Sequence, residues 1–183
     1  MSVSIELLRE CLSYNPKTGN FTWLERPVHP SAYISATRAF NTKYAGSPVY
    51  EELHRGYLRI KLAGKRYKAH RVAWALYYGE WPAQQIDHIN GVKTDNRIEN
   101  LRAASPVDNS RNQPMPASNM SGVVGVSWSK RDCVWIARIG VGGKKLELCR
   151  TRDFDEAVAA RKSAETKYGF HPNHGRPLKK FCE

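Results

Sequence analysis

The sequence contains no Cys-x-x-Cys pair, and its four cysteines are scattered along 183 residues as Cys11, Cys133, Cys149 and Cys182. This spacing argues against a zinc ribbon and for reduced thiols, which are typical of a cytoplasmic protein. The segment His171-x-x-His174 offers too few ligands at close spacing to predict a metal site.

Long apolar runs are also missing from the sequence. No stretch approaches the length that spans a membrane. The first ten residues, MSVSIELLRE, predict a short amphipathic helix and lack the charged start and apolar run of a secretory signal. We therefore expect a cytoplasmic protein without a membrane partner.

Acidic residues are few relative to basic ones: 17 Asp and Glu stand against 29 Lys and Arg, with a net charge of +12 and a pI of about 9.7. This surplus indicates a polyanionic partner, with solvated lysines on a basic protein as the alternative. Residues 1–69 carry 11 basic and 5 acidic groups, residues 70–115 carry 5 and 5, and residues 116–183 carry 13 and 7. A neutral middle between basic flanks is expected if the flanks hold the polyanion and the middle acts on it.

The densest set of polar residues lies between Ile86 and Asn109. Asp87-His88 lies near the end of the first predicted strand, QQIDHI, and Asn90-Gly91 is a turn signal before the second short strand, NLRA. Ser105-Pro106 with Asp108 then predicts a helix start, since serine caps, proline suits the first position and an acid follows three residues after the cap. The predicted unit is strand, loop, strand, helix.

This segment resembles the ββα-metal core of HNH endonucleases, and the phage and intron-encoded homing enzymes in particular. The resemblance rests on Asp87-His88, on the run 93–101 (KTDNRIENL) and on Asn109, which stands where the family name has its last histidine. It extends upstream to His70-Arg71-Val72-Ala73-Trp74 and to Gly79-Glu80-Trp81-Pro82. The resemblance implies a metal-dependent enzyme that hydrolyses phosphodiester bonds in double-stranded DNA.

The chemistry of the same residues agrees with the resemblance. A neutral His88 can take the proton from an attacking water, and Asn100 can hold its imidazole in one tautomer through the side-chain amide. Asp87 and Asn109 offer oxygen ligands, which favour one hard ion, Mg²⁺ or Mn²⁺, over zinc. Taken singly, the Asp-His pair is typical of a surface or capping pair, Asn100 of a turn and Asn109 of a solvated helix position.

Other residues near this core are expected to have structural roles. Asp95, Asn96 and Arg97 are predicted to shape the loop by Asx-type hydrogen bonds rather than take part in chemistry. His70 opens the apolar run VAWALYYG, which predicts a buried helix ending at Gly79. We expect His70 in the core, with a contact to phosphate as the alternative.

The first 69 residues are predicted to contact DNA and to contain a hairpin. Ile5, Leu8 and Leu12 share one face of the first helix, and the aperiodic stretch 26–47 is expected to wrap over a surface or along DNA. GYLRIKL and RYKAH predict two strands joined by Ala63-Gly64-Lys65. Leu58, Ile60 and Leu62 would face the core. The opposite face suits phosphate contacts or solvent equally.

A second module is predicted after the linker at residues 116–121. GVVGVSWS, CVWIARI and KKLELC predict three strands, and Asp153 caps a helix that ends at Gly169. This segment, 122–169, resembles the AP2/ERF-type DNA-binding domain, in which the free face of a three-stranded sheet enters the major groove. The basic tail, 170–183, is expected to follow DNA or to be disordered.

Alternation along these strands predicts which side chains pack on the helix: Trp135, Ala137, Ile139, Val126, Leu146, Leu148 and also Trp128. The opposite face would carry Ser127, Ser129, Arg131, Arg138, Lys145 and Glu147. Across the chain, the predicted DNA-binding residues are Arg59, Lys61, Arg71, Arg102, Lys130, Arg131, Arg138 and Lys145.

The sequence therefore predicts an α+β protein with a ββα-metal (HNH) catalytic core, an N-terminal helix and hairpin region, and a small AP2-like domain of three strands and a helix. The predicted segments are 1–69, 70–115, 116–121, 122–169 and 170–183. We expect a monomeric endonuclease that nicks duplex DNA, with no small-molecule substrate. The alternatives are a non-catalytic DNA-binding protein that keeps the scaffold, and an RNA-binding protein.

Overall fold

Two units make up the chain, Met1–Ala104 and Ser105–Glu183. The computed structural model describes residues 3–27, 34–49 and 52–177. The division after Ala104 differs from the predicted segments, because residues before and after position 69 share one hydrophobic core. In the described part of the chain, no helix has the length and apolar character needed to cross a bilayer.

The first unit begins with helix α1 (Ile5–Cys11), whose Ser4 cap accepts a hydrogen bond from the Leu7 amide. Strands β1 (Leu12–Tyr14) and β2 (Phe21–Trp23) follow as an antiparallel pair. The predicted N-terminal helix is confirmed, but Leu12 is the first residue of β1. It is still buried, at 2% exposure.

Helix α2 (Ile34–Tyr44) forms within residues 26–47, which were predicted to be an aperiodic stretch that wraps over a surface or along DNA. That expectation is wrong for these residues. None of the helix residues is buried, and Phe40 packs against Trp23 and Tyr44. Residues 28–33 of the same stretch lie outside the described residues.

The predicted hairpin is confirmed as part of a three-stranded sheet. Strands β3 (Glu52–His54), β4 (Tyr57–Leu62) and β5 (Lys65–Lys68) lie side by side in that order. Helix α3 (Ala69–Tyr78) follows directly and ends at Gly79, which has the left-handed conformation that glycine adopts without strain. Both the helix and its stop at Gly79 match the sequence prediction.

The core of the first unit joins these elements. Leu8 of α1, Ile60 of β4 and Val72 of α3 are each at most 1% exposed, and all three belong to one cluster. Leu62 is buried and Leu58 half-buried against the same cluster, as predicted. Ile86 and Leu101 belong to it too, so the strands that carry the Asp-His pair are anchored in this core.

Those strands are β6 (Gln85–His88) and β7 (Leu101–Ala104), which pair antiparallel as predicted. The connection between them ends in a single 3₁₀ turn, Ile98–Asn100. Asp87 lies opposite Arg102, and His88 lies opposite Leu101. The pair therefore brings the two candidate residues to the end of β6, where the loop begins.

The second unit starts with helix α4 (Pro106–Ser110), in which Ser105 and Asp108 form the predicted capping box. Strands β8 (Val126–Ser129), β9 (Val134–Val141) and β10 (Lys144–Thr151) form an antiparallel sheet in the order β10-β9-β8. Helix α5 (Phe154–Lys167) is capped by Asp153 and packs on the sheet through Ala157 and Phe154. Three strands and a helix are confirmed, whereas the relation to AP2/ERF domains stays a prediction.

The predicted faces of this sheet are confirmed in part. Val126, Ala137 and Ile139 are buried, but Leu146 is 37% exposed and Trp128 is 45% exposed. For Leu146 and Trp128 the expectation of a buried core position is wrong. Leu146 pairs with Ile139 before the bulge between Glu147 and Cys149, and both exposed residues lie on edge strands of the sheet.

Residues just before the predicted linker contact the predicted tail within the second unit. The Gln113 carbonyl accepts from the Gly175 amide, and the Met115 amide donates to the Arg176 carbonyl. The guanidinium of Arg176 also donates to the backbone and side-chain oxygens of Asn112. The described part of the tail, through residue 177, is therefore held by these hydrogen bonds, and its contact with DNA stays a prediction.

Candidate active site

His88 lies at the end of β6 with only 3% of its surface exposed. Its ring centroid is 5.0 Å from that of His70 and 6.1 Å from that of Tyr57. This burial lowers the pKa of His88 below its ordinary value, and a hydrogen bond to Asn96 opposes the shift in part. The imidazole is therefore held neutral near physiological pH, which is the form that can accept a proton.

Asn96 contacts the imidazole directly. Its Oδ1 lies 3.3 Å from His88 Nε2, and the Asn96 side chain is 2% exposed. A carboxamide oxygen accepts, so this contact favours the tautomer in which Nε2 carries the proton. The expectation that Asn96 only shapes the loop is wrong. Nothing in the sequence distinguishes Asn96 from its polar neighbours Asp95 and Arg97, but in the structure Asn96 is the buried one.

Asn100 holds the loop rather than the imidazole. Its Oδ1 accepts from the Asn90 amide at 2.9 Å, and its Nδ2 donates to the Asp95 carbonyl at 2.8 Å. The Asn100 carbonyl also accepts from Ile89. The expected contact of Asn100 with His88 is thus replaced by one with Asn96, and Asn100 acts on His88 through the loop that presents Asn96.

The charged residues of this loop also bind each other. Asp95 accepts from Arg97 Nη2 at 2.8 Å and from Asn90 Nδ2 at 2.8 Å. The Arg97 hydrogen bond, with help from Asn90, lowers the pKa of Asp95 to about 2. The expectation that Asp95 and Arg97 shape the loop is confirmed.

The N-terminal hairpin packs on the same loop. Tyr14 of β1 donates its hydroxyl to the Asn96 carbonyl at 2.7 Å, and the Pro16 carbonyl accepts from the Ile98 amide at 3.0 Å. Gly19 lies so close to this loop that a Cβ added there would stand 2.7 Å from the backbone nitrogen of Arg97. The position of Asn96 is therefore set by the first 20 residues as well as by its own loop.

Asp87 is half of an ion pair with Arg102 across the two strands. The carboxylate Oδ2 accepts from Arg102 Nη2 at 3.0 Å and from Nε at 3.2 Å. The Asp87 side chain is 11% exposed and that of Arg102 is 33% exposed. Arg102, predicted to bind DNA, thus lies against the predicted metal ligand.

The donor chemistry fits a hard divalent ion. Asp87 supplies a carboxylate at the end of β6, beside His88. Among the described residues no three of His, Cys, Asp and Glu stand together as ligands, and Mg²⁺ is commonly bound by one or two protein oxygens with water and phosphate completing its shell. Asn109 lies on α4 of the second unit, and its role as a ligand stays a prediction.

The sequence pair His171-x-x-His174 lies elsewhere in the second unit. Nε2 of His174 is 3.2 Å from Nη2 of Arg161.

Two lysines that were not among the predicted DNA-binding residues lie beside this site. Lys93 Nζ is 4.6 Å and Lys68 Nζ is 4.8 Å from the ring centre of Tyr57. The Tyr57 ring in turn packs against His70 and His88. Gly56 leaves the space that the Lys93 side chain uses, with Lys93 Cδ 3.3 Å from an added Cβ. Sequence alternation places Lys68 on a strand, but nothing local in the sequence brings it near His88.

The predicted DNA-binding residues of the first unit have different surroundings. Arg59 pairs with Glu52 at 2.9 Å, and Lys61 is exposed. Arg71 donates to the carbonyls of Pro82 and Gln84 and so ties down the segment before β6. Of these three, Lys61 is the exposed one, and DNA contact stays a prediction for all of them.

In the second unit, Lys130 and Lys145 are exposed, whereas the arginines belong to a network with acids. Arg138 pairs with Glu147 at 3.1 Å, and Arg131 pairs with Asp132 at 2.9 Å. Arg150 bridges Glu147 and Asp132. Because these carboxylates offset part of the positive charge, the two lysines are the stronger candidates for contacts with phosphate.

Comparison with known proteins identifies the family to which the segment that carries Asp87 and His88 is similar. The sequence model of the HNH endonuclease family matches residues 67–111. Protein 3.8 of Escherichia phage T7 is 40% identical over 97 residues, which cover 51% of this chain and 79% of that protein. The chain belongs to the HNH endonuclease family.

The HNH match runs from β5 to the end of α4 and includes Asp87, His88, Asn100 and Asn109. A solved structure titled for DNA binding and cleavage by the HNH homing endonuclease I-HmuI aligns with 99% of this chain and 100% of that chain. Its identity is 20% and its TM-score 0.41, and at these values the likeness carries no argument about site or reaction. Membership of the family makes the chain a nuclease by class.

Proposed function

We propose that this protein is a metal-dependent endonuclease of the HNH homing type, which nicks one strand of duplex DNA. One observation carries the proposal: a buried His88, held neutral, directly follows Asp87 at the end of a strand within the HNH match. A neutral imidazole beside a carboxylate combines a proton acceptor with a ligand for a cation, and phosphodiester hydrolysis needs both.

His88 is the general base in this proposal. Asn96 holds the imidazole, which accepts the proton as the water oxygen attacks phosphorus and the bond from phosphorus to the leaving sugar oxygen breaks. Asp87 and Asn109 are proposed to hold one Mg²⁺ or Mn²⁺, a pairing that rests on the sequence pattern. When bound, the ion would stabilise negative charge on the phosphate and the leaving oxygen.

The surroundings of His88 favour a phosphate substrate. The ammonium groups of Lys68 and Lys93 lie over the Tyr57 ring, which itself packs on His88. Two cations on the aromatic ring that packs against the proton acceptor can hold the phosphates that flank the cleaved bond. A single base and a single ion act on one phosphodiester at a time, so we infer a monomer that nicks.

His88→Ala tests the proposal in a plasmid-nicking assay with Mg²⁺. Turnover should fall by about 10²–10⁴, the usual range for loss of a general base, while DNA affinity stays near that of the wild type. EDTA should stop the wild-type reaction. The matched control is His54→Ala, which removes an exposed histidine of β3 and should leave nicking unchanged. Nicking by His88→Ala at the wild-type rate would contradict the proposed mechanism.

A non-catalytic DNA-binding protein is the second candidate, and the ion pair of Asp87 with Arg102 favours it. A carboxylate that is already neutralised by an arginine is a poorer ligand for a cation. The same assay separates the two functions, because a non-catalytic protein would bind DNA with either divalent ion and leave the plasmid supercoiled.

A further inference from the structure

Arg102 and Asp87 form a closer pair than strand pairing alone requires. Both Nε and Nη2 of Arg102 donate to one oxygen, Asp87 Oδ2, at 3.2 and 3.0 Å. The two residues are direct cross-strand neighbours, so the contact is built into the register of β6 and β7. The largely buried carboxylate gives this charge pair less screening than a fully exposed pair would have.

A guanidinium and a divalent ion compete for such a carboxylate. Each hydrogen bond that Oδ2 accepts from Arg102 uses electron density that a metal would otherwise share, and the positive charge repels the ion directly. Arginine also has a second class of partner, since its planar group binds phosphate oxygens in pairs. DNA arriving at the site therefore offers Arg102 an alternative to Asp87.

We propose that Arg102 couples metal binding to DNA binding. Without DNA it neutralises Asp87 and keeps the affinity for the divalent ion low; with DNA it transfers to a phosphate and leaves the carboxylate to the metal. This inference rests on the proposed function, since it takes Asp87 as a metal ligand. Its consequence is an enzyme that loads its ion mainly when substrate is bound.

The test is a titration of full-length protein with Mn²⁺, followed by the loss of the free-ion electron paramagnetic resonance signal, so that no catalysis is needed. Arg102→Gln should bind Mn²⁺ about tenfold more tightly than the wild type, since one competing charge is removed. Arg102→Lys, which keeps the charge, should stay close to wild type. The control is Arg66→Gln, which removes an arginine paired with Glu52 at 2.7 Å and should leave Mn²⁺ affinity unchanged.

A second titration adds a short DNA duplex to proteins that also carry His88→Ala, so that the duplex stays intact. DNA should raise the Mn²⁺ affinity strongly when Arg102 is present and much less in Arg102→Gln. Equal enhancement in both proteins, or Mn²⁺ binding by free Arg102→Gln that is no tighter than wild type, would overturn the coupling.

Asp87→Ala separates failure of this inference from failure of the proposed function. If Asp87→Ala loses Mn²⁺ binding but Arg102→Gln matches the wild type, Asp87 is a ligand and Arg102 only ties the strands together. If Asp87→Ala binds Mn²⁺ as the wild type does, the metal assignment itself is wrong and the coupling fails with it. Thermal unfolding of each variant shows that the comparison is made between folded proteins.

Discussion

His70 is buried beside His88 and is not one of the proposed catalytic residues. It is 2% exposed and lies at the start of α3, and its Nδ1 has no hydrogen-bond partner among the described residues. Burial, followed by the nearby His88, lowers the pKa of His70 to about 3. A neutral ring can pack edge-on against His88, whereas a charged one would repel any positive charge at the site.

This burial predicts that stability decreases in mild acid. Between about pH 6.5 and about pH 3 the unfolded chain takes up a proton at His70 that the folded chain refuses. The free energy of unfolding should therefore fall by up to about 1.4 kcal/mol per pH unit in that window, and not above it. Urea unfolding near neutral pH and at about pH 5 measures the loss.

His70→Phe should reduce the pH dependence, since phenylalanine fills the site without titrating. The control is His54→Gln, which removes an exposed histidine of β3 and should keep the wild-type slope. An unchanged slope in His70→Phe would show that other groups cause the acid sensitivity.

Individual site residues show which contacts the sequence pattern predicted and which it did not. Asp87 and His88 were predicted from their spacing to Asn100, and the structure places them together at the end of β6. Asn96 was predicted only to shape its loop, yet it makes the contact with the imidazole. Asn96 and Asn100 have the same chemistry and both are buried, so the sequence alone could not distinguish which one contacts the imidazole.

Among the elements, the hairpin of β1 and β2 has the least obvious effect on the site. It reaches the loop of Asn96 through Tyr14, Pro16 and Gly19, residues about 80 positions earlier in the chain. Gly19 has a φ of +79°, and an added Cβ would stand 2.7 Å from both Asn96 C and Arg97 N. Backbone atoms of the loop cannot yield as a flexible side chain can.

Gly19→Ala should therefore lower both stability and turnover. The alanine is strained at this φ and pushes the loop that presents Asn96 to His88. Gly64→Ala is the matched control, because Gly64 has a φ of +74° and an added Cβ there meets nothing within 4 Å. The control should cost about 1–2 kcal/mol, the backbone strain alone, and leave turnover intact, whereas Gly19→Ala should cost more.

Denaturant unfolding and nicking rates measure the two effects. Equal losses of stability in the two variants, with turnover unaffected in both, would show that the hairpin does not position the loop.

Elements with their own capping and turn residues were predicted well. Ser105, Pro106 and Asp108 start α4 as expected, and Gly79 ends α3. Two predictions failed where no such local signal exists. Helix α2 forms without burying a residue, and Leu146 is exposed on an edge strand although it pairs with the buried Ile139.

At the scale of the whole molecule, both units carry the excess of positive charge that DNA binding requires. In the second unit the arginines of the sheet are partly offset by Asp132 and Glu147, so Lys130 and Lys145 should carry the contacts with phosphate. Replacing both lysines by Gln should weaken DNA binding and lower the slope of log affinity against log salt by up to about 2, at about 0.9 per lost contact.

Lys162→Gln with Lys167→Gln is the control for this pair, since both lysines are exposed on α5 of the same unit and remove the same charge. Binding of a His88→Ala protein to duplex DNA over a range of salt concentrations measures the slope. Equal slopes in the two double variants would mean that the sheet face does not hold the DNA backbone.

Local chemistry by itself determined the family, the strand pair with its Asp-His end, the capped helices and the basic flanks, because each depends on residues close together in the sequence. Only the tertiary structure decided that Asn96 bonds His88, that Lys68 and Lys93 lie over Tyr57, and that Arg102 neutralises Asp87. Those contacts join residues that are distant in the chain or alike in chemistry, and they exist only after burial and strand register have chosen which side chains meet.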